Sequence, residues 1–169
     1  IPNNLFGTLC SAGELGFVFP AIARMIYQAA KSLQHTGKLY DFGSGYGLVL
    51  FLAAASGLES YGHEKLQCSY RLSEKLRRSP AAPRGKHAHP NHGNCFTQSL
   101  VDLSKIDIWY LYAGCKMTQR VVDLFAARAS STSVLILQYT GEIATMTLPP
   151  SVYLRSVDHT DATGRGVRF

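Results

Sequence analysis

Apolar residues recur at helical spacing in four stretches of the chain. From Ile22 to Leu33 they recur every three or four residues, which predicts an amphipathic helix with Pro20 near its first turn and its end at Gly37. Further helices are predicted over 48–57, which is apolar on all sides, over 65–78, and from Met117 to Arg128. In the third of these helices, the residues expected to be buried are Leu66, Leu72 and Leu76.

Short apolar runs between the helices predict strands over 38–42, 58–64, 95–100, 106–112 and 133–139. A long loop is expected over 79–94, which holds three prolines and two glycines. After Pro149 and Pro150, 151–157 and 166–169 predict a closing pair of strands with a turn near Gly164. Because strands alternate with helices, the prediction is a doubly wound, mostly parallel α/β sheet. One domain is expected over 1–169, with an N-terminal loop and helix at 1–37 and an α/β core at 38–169.

The composition fits one globular core, with 46% hydrophobic and 17% charged residues in a chain of 169. No apolar run reaches the roughly 18 to 20 residues of a membrane span. The four cysteines are widely scattered and form no C-x-x-C pair, which indicates separate thiols in a reducing compartment. An intracellular location, the nucleus or the mitochondrion, is therefore expected.

The net charge of +6 is concentrated in one segment. Positions 71 to 92 contain six lysines and arginines but a single glutamate. This basic segment is expected to dock on an acidic macromolecular surface, such as a nucleosome or a ribonucleoprotein. The alternative is a solvated helix end and loop. The basic residues are Arg71, Lys75, Arg77, Arg78, Arg84 and Lys86.

Three glycines alternate directly behind an acidic residue in the stretch Asp41-x-Gly43-x-Gly45-x-Gly47. The dinucleotide fingerprint G-x-G-x-x-G would need a glycine where Leu48 stands, and Asp41 would repel a pyrophosphate. Glu64 ends the next predicted strand, at the place where a doubly wound fold holds the ribose hydroxyls. A ligand with a ribose and an amino group but no phosphate fits best, which indicates S-adenosylmethionine. The alternatives are a nucleotide-binding or a ligand-free α/β domain.

These motifs resemble those of the class I methyltransferases, with DFGSGYG (41–47) as the first motif and GHE (62–64) as the second. The stretch AGELGFVFPAIARMIYQAAK (12–31), followed by LYDFGSGYG and YGHEK, is similar to the Dot1-like lysine methyltransferases. The resemblance implies S-adenosylmethionine-dependent methyl transfer to a protein lysine. It also makes Glu14 the counterpart of a glutamate in a loop that covers the cofactor, although the tyrosine expected before that motif is Ala12.

The chain departs from this family at several positions. Leu48 replaces a polar residue after the third glycine, and Ser99, in Gln98-Ser99-Leu100, replaces the aspartate that receives the adenine amino group. The resemblance places Ser99 and Leu100 beside the adenine. Each hydrogen bond to the cofactor that is lost in this way lowers its binding free energy by about 0.5 to 1.5 kcal/mol. The asparagines that end the family's lysine channel are also missing. The candidates for lining the acceptor channel are Tyr110, Leu111 and Tyr112, and no catalytic residue is assigned.

Two other functions stay open, an RNA methyltransferase and a degenerate methyltransferase fold serving as a scaffold of a ribonucleoprotein or another large complex. No metal site is expected, because His87, His89 and His92 lie in a proline-broken loop without an obvious further ligand. Cys68 and Cys115 are interpreted as core residues rather than nucleophiles. Trp109 is interpreted as a packing residue, with stacking on a substrate base or on adenine as the alternative.

Overall fold

The computed structural model describes residues 11–80, 82, 84–97, 101–113, 115–139, 158–160 and 166–168. For 11–21, 113, 115, 138, 139 and the last two strands, the description covers the backbone alone. The helices are α1 (Ser11–Ser32), α2 (Leu48–Ala55), α3 (Gln67–Arg77) and α4 (Cys115–Arg128). The strands are β1 (Lys38–Phe42), β2 (Glu59–Glu64), β3 (Ala88–His92), β4 (Ile108–Ala113), β5 (Val134–Tyr139), β6 (Asp158–Thr160) and β7 (Gly166–Arg168).

Five strands form one parallel sheet in the order β3-β2-β1-β4-β5. From β1 the chain adds β2 and β3 on one side and then returns to add β4 and β5 on the other. The direction of the connections therefore reverses between β1 and β4. In open sheets of this kind, ligands bind beyond the carboxyl ends of the strands at that reversal. The predicted doubly wound α/β fold is confirmed, and the glycine loop leaves β1 at the reversal.

Alternate residues of the central strands enter two separate cores. Leu39 of β1 and Ile108 of β4 pack with Ile22, Ile26 and other residues of α1 and α2. On the opposite face, Tyr40, Phe42 and Trp109 pack beneath α4. The ring centres of Trp109 and Phe42 are 5.4 Å apart, and Nε1 of Trp109 donates to the Ile106 carbonyl at 3.3 Å. Trp109 is completely buried, which confirms the interpretation that it is a packing residue.

The predicted third strand was wrong, because β3 lies at Ala88–His92, inside the predicted loop. Residues 95–97 form a turn, and 98–100 lie outside the described residues. In the described sheet, β3 is at the edge and pairs with β2 alone. An edge strand tolerates Pro90, which has no N–H to donate, and the half-solvated His89 and Asn91. Its polar sequence therefore gives no apolar strand signal.

The predicted burial of α3 was also wrong. Leu66, before the helix, is 59% exposed, and within it Leu72 is 41% and Leu76 36% exposed, whereas the buried residues are Ser69 and Ser73. A Cβ atom built on Gly47 would lie 3.1 Å from Cβ of Ser73. The helix therefore packs so close to the glycine loop that only small side chains fit between them.

Both ends of the chain differ from the sequence predictions in detail. Helix α1 begins at Ser11, ahead of Pro20, and Ser11-Ala-Gly-Glu14 has the S-x-x-E spacing typical of a helix start. β7 confirms the last predicted strand and pairs antiparallel with β6, which follows 151–157. The segment 151–157 lies outside the described residues, as does the turn at Gly164. Within the described part of the chain, no helix combines the length and apolarity needed to cross a membrane.

Candidate functional site

The loop between β1 and α2 has a backbone that glycine adopts readily. Gly43, Gly45 and Gly47 have φ angles of 85°, 52° and 81°, in the left-handed region that L side chains rarely enter. A Cβ atom on Gly45 would meet no atom within 4 Å, so the loop borders open space at that point. The alternating glycines therefore keep the loop curled and its outer surface free of side chains.

Four N–H groups of this loop are bound within the protein. Those of Gly43 and Ser44 donate to the carbonyl oxygen of His63, each at 3.1 Å. The Gly45 N–H donates to Oε2 of Glu64 at 2.8 Å, and the Gly47 N–H donates to the Ser44 carbonyl at 2.7 Å. A phosphate cradle presents such N–H groups to its ligand. The loop therefore differs from a phosphate-binding loop, in agreement with the argument from Asp41.

Glu64 connects the glycine loop with the start of α3. Its carboxylate is buried, with 8% of the residue exposed. Oε2 accepts from Gly45, and Oε1 accepts from the Leu66 N–H at 2.6 Å. Each carboxylate oxygen has a second lone pair, so the group can still accept two hydroxyl protons from a ligand. Glu64 thus has a structural function in addition to the predicted ligand contact.

Asp41 is buried at the carboxyl end of β1, with 3% of the residue exposed. Burial, and secondly the charge of Glu64, raises the pKa of its carboxyl group to about 8. Tyr110 pairs with Asp41 across β1 and β4, and burial together with Asp41 raises the pKa of its hydroxyl group far above the usual range. At neutral pH the Asp41 carboxyl group therefore holds its proton until a cation is placed beside it.

Gly62 of the GHE motif allows the glycine loop to lie against β2. A Cβ atom at this position would be 2.7 Å from Cβ of Ser44 and 3.1 Å from Cδ2 of Leu50. The first distance is shorter than real Cβ contacts and the second is tighter than most, so a side chain here would displace the loop. The conformation of the first motif thus depends on the glycine of the second.

A buried hydrogen-bonded pair lies beneath the loop. The Tyr40 hydroxyl group is 2.6 Å from Nδ1 of His63 and donates to the Cys95 carbonyl oxygen at 3.4 Å. A hydroxyl group has one proton, so both bonds form together when His63 carries its proton on Nδ1. Since the His63 carbonyl accepts from the glycine loop, this pair joins the loop to the segment after β3.

Removing the Tyr40 hydroxyl group with Tyr40→Phe is expected to lower the free energy of unfolding by about 1 to 3 kcal/mol, because buried partners lose their hydrogen bonds. Chemical denaturation measures the change. Tyr61→Phe is the control, since Tyr61 is half-buried on the same face of the sheet. Equal destabilisation by the two variants would show that the buried pair makes no special contribution.

The residues predicted for the acceptor channel are divided between the two faces of the sheet. Tyr110 is buried and Tyr112 half-buried on the face of Asp41. Leu111 is completely buried on the opposite face, beneath α4. The backbone of Glu14 lies in α1, while Ser99 and Leu100 lie outside the described residues. Asp41, the three glycines and Glu64 are thus brought together, with Tyr110 beside them.

Several residues of this region were missed in the sequence. Asn94 follows Gly93, whose N–H donates to the Glu64 carbonyl at 3.0 Å, and the Asn94 Oδ1 accepts from the Phe96 N–H at 3.0 Å. Met117 of α4 faces Gly43, with its Cε 3.7 Å from a Cβ atom built there. Asn94 had one signal, a polar side chain directly after Gly93 near the end of the predicted loop.

The described side chains of His87, His89, Cys68 and Cys95 lie outside the site formed by Asp41, the glycine loop and Glu64. His87 and His89 both bind the Glu59 carboxylate, at the opposite end of β2 from Glu64. Among the described residues, no group of three or more His, Cys, Asp or Glu is arranged to hold a metal ion. Cys68 is exposed, against the prediction that it is a core residue, because it lies on the solvent side of α3. Burial raises the pKa of the Cys95 thiol to about 11.

Comparison with known proteins gives a result in structure alone. No protein-family model and no curated protein matches the sequence. An RNA methyltransferase from Salinibacter ruber, solved with S-adenosyl-L-homocysteine, matches 86% of this chain and 88% of its own, with a TM-score of 0.60 and 19% identity. The CcbJ methyltransferase from Streptomyces caelestis matches 68% of this chain and 50% of its own, with a TM-score of 0.53 and 17% identity.

A third match is a methyltransferase from Thiobacillus denitrificans, also solved with S-adenosyl-L-homocysteine. It covers 70% of this chain and 47% of its own, with a TM-score of 0.52 and 18% identity. The chain has the class I methyltransferase fold. It spans most of the Salinibacter enzyme and about half of the other two. The class I fold agrees with the broad resemblance drawn from the motifs, while the narrower resemblance to the Dot1-like enzymes concerns the acceptor and stays a prediction.

Proposed function

We propose that the chain binds S-adenosylmethionine at the carboxyl ends of β1 and β2. The observation that carries the proposal is the pairing of the loop N–H groups with Glu64 and His63, beside the second buried carboxyl group of Asp41. A ligand for this site offers hydroxyl and amino groups and carries no phosphate. S-adenosylmethionine has both groups, and the class I fold supports the assignment.

Each part of the cofactor has a partner in the proposed site. Glu64 would accept from the ribose hydroxyl groups with its remaining lone pairs, and Asp41 would pair with the amino group. The prediction of Ser99 for the adenine amino group depended on a strand over 95–100. Because β3 ends at His92, the position after the third strand is Gly93-Asn94, which favours Asn94 as the polar residue on the adenine side.

The reaction proposed is methyl transfer to an amine. The cofactor supplies an electrophilic methyl group on its sulfonium, and the protein aligns the acceptor and excludes water. The resemblance to the Dot1-like family favours a protein lysine as acceptor. Tyr110 and Tyr112, rather than asparagines, stand on the face of β4 that holds Asp41. This altered channel favours slow transfer or a narrow choice of acceptor over efficient methylation of free histones.

A second acceptor, RNA, is favoured by a specific observation. Helix α3 places Arg71, Lys75 and Arg78 in solvent. The structural match to an RNA methyltransferase over 86% of the chain is consistent with this candidate but concerns the fold alone. Lysine and RNA therefore both enter the test, together with a scaffold function without transfer.

Incubation of the purified chain with S-adenosylmethionine labelled in the methyl group tests the proposal. We expect labelled product on a ribosomal or nucleosomal mixture, at rates well below the roughly 1 per second of an ordinary enzyme. Protease and ribonuclease treatment of the product identifies the acceptor as protein or RNA. Calorimetric binding of the cofactor without any transfer would favour the scaffold, and no binding at all would contradict the proposal.

A further inference from the structure

The solvent face of α3 forms an open groove of about 420 Å³. Helix residues three or four positions apart lie on the same face, so residues of adjacent turns come to line one surface. The buried Ser69 and Ser73 hold the opposite face against the protein. We call this surface the α3 groove, and its lining residues are Tyr70, Arg71, Glu74, Lys75 and Arg78.

The α3 groove is positively charged. Its carboxylate, Glu74, is held by Arg77 at 2.9 Å and by Arg78 at 3.0 Å. Arg71 and Lys75 are exposed, and in the described part of the chain neither forms an ion pair. Arg78 keeps 73% of its side chain exposed despite its bond to Glu74. The groove therefore presents at least two uncompensated cations to a partner.

An aromatic pair lies at one end of the α3 groove, where Tyr70 belongs to the lining. The Tyr70 ring stacks on that of His92, with ring centres 5.5 Å apart and planes inclined at 29°. His92 is the last residue of β3 and pairs in register with Glu64. The ring pair therefore lies at the carboxyl edge of the sheet, next to the proposed cofactor site.

The positive surface continues beyond the other end of the helix. Gly85 packs on the carbonyl group of Arg77, where a Cβ atom would be 2.4 Å from the oxygen, so the following turn is fixed against α3. The neighbours Arg84 and Lys86 are both exposed. An eleven-residue helix is about 16 Å long. The cations thus extend over that length, away from the aromatic pair.

We propose that the α3 groove binds single-stranded RNA, with phosphates on Arg71 and Lys75 and a base stacked at the Tyr70–His92 pair. Cations beside an aromatic platform are the combination that binds single strands, whose bases have open faces for stacking. An acidic protein would use the cations but leave the rings without a function. RNA binding in the α3 groove requires no methyl transfer. The proposal rests on the proposed function in one respect, because the bound RNA then lies next to the cofactor site.

Fluorescence anisotropy with a labelled oligouridylate of about twelve nucleotides tests the groove. Arg71→Ser with Lys75→Ser is expected to weaken binding at least tenfold and to lower the salt slope by about 1.4, at about 0.7 per phosphate contact. Tyr70→Ala is expected to weaken binding about fivefold or more with the slope unchanged, since stacking releases no counterion. The charge-matched control is Arg24→Ser with Lys31→Ser, two exposed residues of α1.

The proposal is overturned if the wild-type chain does not bind the oligonucleotide, or if the α1 control weakens binding as much as the α3 pair. It is also overturned if Tyr70→Ala binds like wild type and polyglutamate displaces the RNA as effectively as unlabelled oligouridylate. Calorimetry with S-adenosylmethionine on the same samples separates the two proposals. RNA binding through α3 without cofactor binding supports the groove and contradicts the proposed function, and the reverse result contradicts the groove alone.

Discussion

Glu64→Gln is expected to lower S-adenosylmethionine affinity at least 100-fold and to destabilise the fold. The carboxylate accepts from the Gly45 N–H with one oxygen and from the Leu66 N–H with the other. A glutamine would direct its NH₂ group at one of these two donors. That backbone N–H then loses its acceptor in a buried position, which costs about 1 to 3 kcal/mol.

The loss of affinity has two sources. In the proposed complex, the carboxylate accepts from the ribose with the lone pairs that the loop leaves, and hydrogen bonds to a charged group contribute about 1.5 to 3 kcal/mol each. The glycine loop also loses its bond at Gly45, so the site is less well formed before the ligand arrives. A change of 2.7 kcal/mol corresponds to a factor of about 100.

Calorimetric titration measures the affinity, and denaturant unfolding measures the stability. Glu59→Gln is the matched control, because Glu59 begins the strand that Glu64 ends and is bound to His87 and His89 instead. The control should bind the cofactor as the wild type does. Wild-type affinity in Glu64→Gln would show that the cofactor lies elsewhere.

The sequence was sufficient for the fold and for the acids of the site where the signals were local. β1 and the glycine loop are contiguous, so the positions of Asp41, Gly43, Gly45 and Gly47 follow from one short segment. Glu64 could be predicted because a parallel neighbour strand ends at the same edge of the sheet. Buried parallel strands such as β5 read as continuous apolar runs, which made their assignment straightforward.

Prediction failed for two elements that lack the usual apolar pattern. One is the strand at the edge of the described sheet, and the other is a helix that packs closely against the glycine loop. β3 carries Pro90 and two half-solvated residues because it is an edge strand, so no period-two apolar pattern marks it. Helix α3 packs through Ser69 and Ser73 because Gly47 lies so near. A hydrophobic pattern cannot show that contact, since Gly47 and Ser73 are distant in sequence and neither is apolar.

The supporting interactions of the site were not predictable for the same reason. Glu64 binds the loop 19 residues earlier, and Tyr40 joins His63 to the carbonyl of Cys95, 55 residues away. Each residue alone has an ordinary local interpretation, Tyr40 as a core aromatic and His63 as a strand residue. Only the register of β1 on β2 brings them together.

Asp41→Asn is expected to stabilise the folded chain at alkaline pH and to abolish tight cofactor binding. Burial and Glu64 raise the pKa of Asp41 to about 8, from an ordinary value of 3.8. A buried carboxyl group is stable in its protonated form and costly when ionised. Asparagine is neutral at every pH, so the variant avoids that cost but offers no charge to the ligand's ammonium group.

The sign of the pH dependence follows from the direction of this shift. The folded chain holds the proton more tightly than the unfolded chain, so the contribution of Asp41 to stability is full below pH 3.8 and is lost as the pH rises through 8. The advantage of the variant therefore grows between these values. Above pH 8 it is on the order of 6 kcal/mol, equivalent to about 15 °C in Tm.

Cofactor binding should show the opposite dependence in the wild type. An ammonium group beside Asp41 favours the ionised carboxyl group, so binding releases a proton below pH 8, and affinity should rise by up to about tenfold per pH unit between pH 6 and 7.5. Calorimetry in buffers of different ionisation enthalpy counts the proton, and thermal unfolding at pH 5 and pH 8.5 measures the stability. Asp107→Asn, which changes a carboxylate that accepts from the Lys38 N–H at the far end of β1, should leave binding as in the wild type. Equal affinity and equal proton release in Asp41→Asn and wild type would contradict the pairing of Asp41 with the cofactor's amino group, because a neutral amide has neither the charge nor the proton to give.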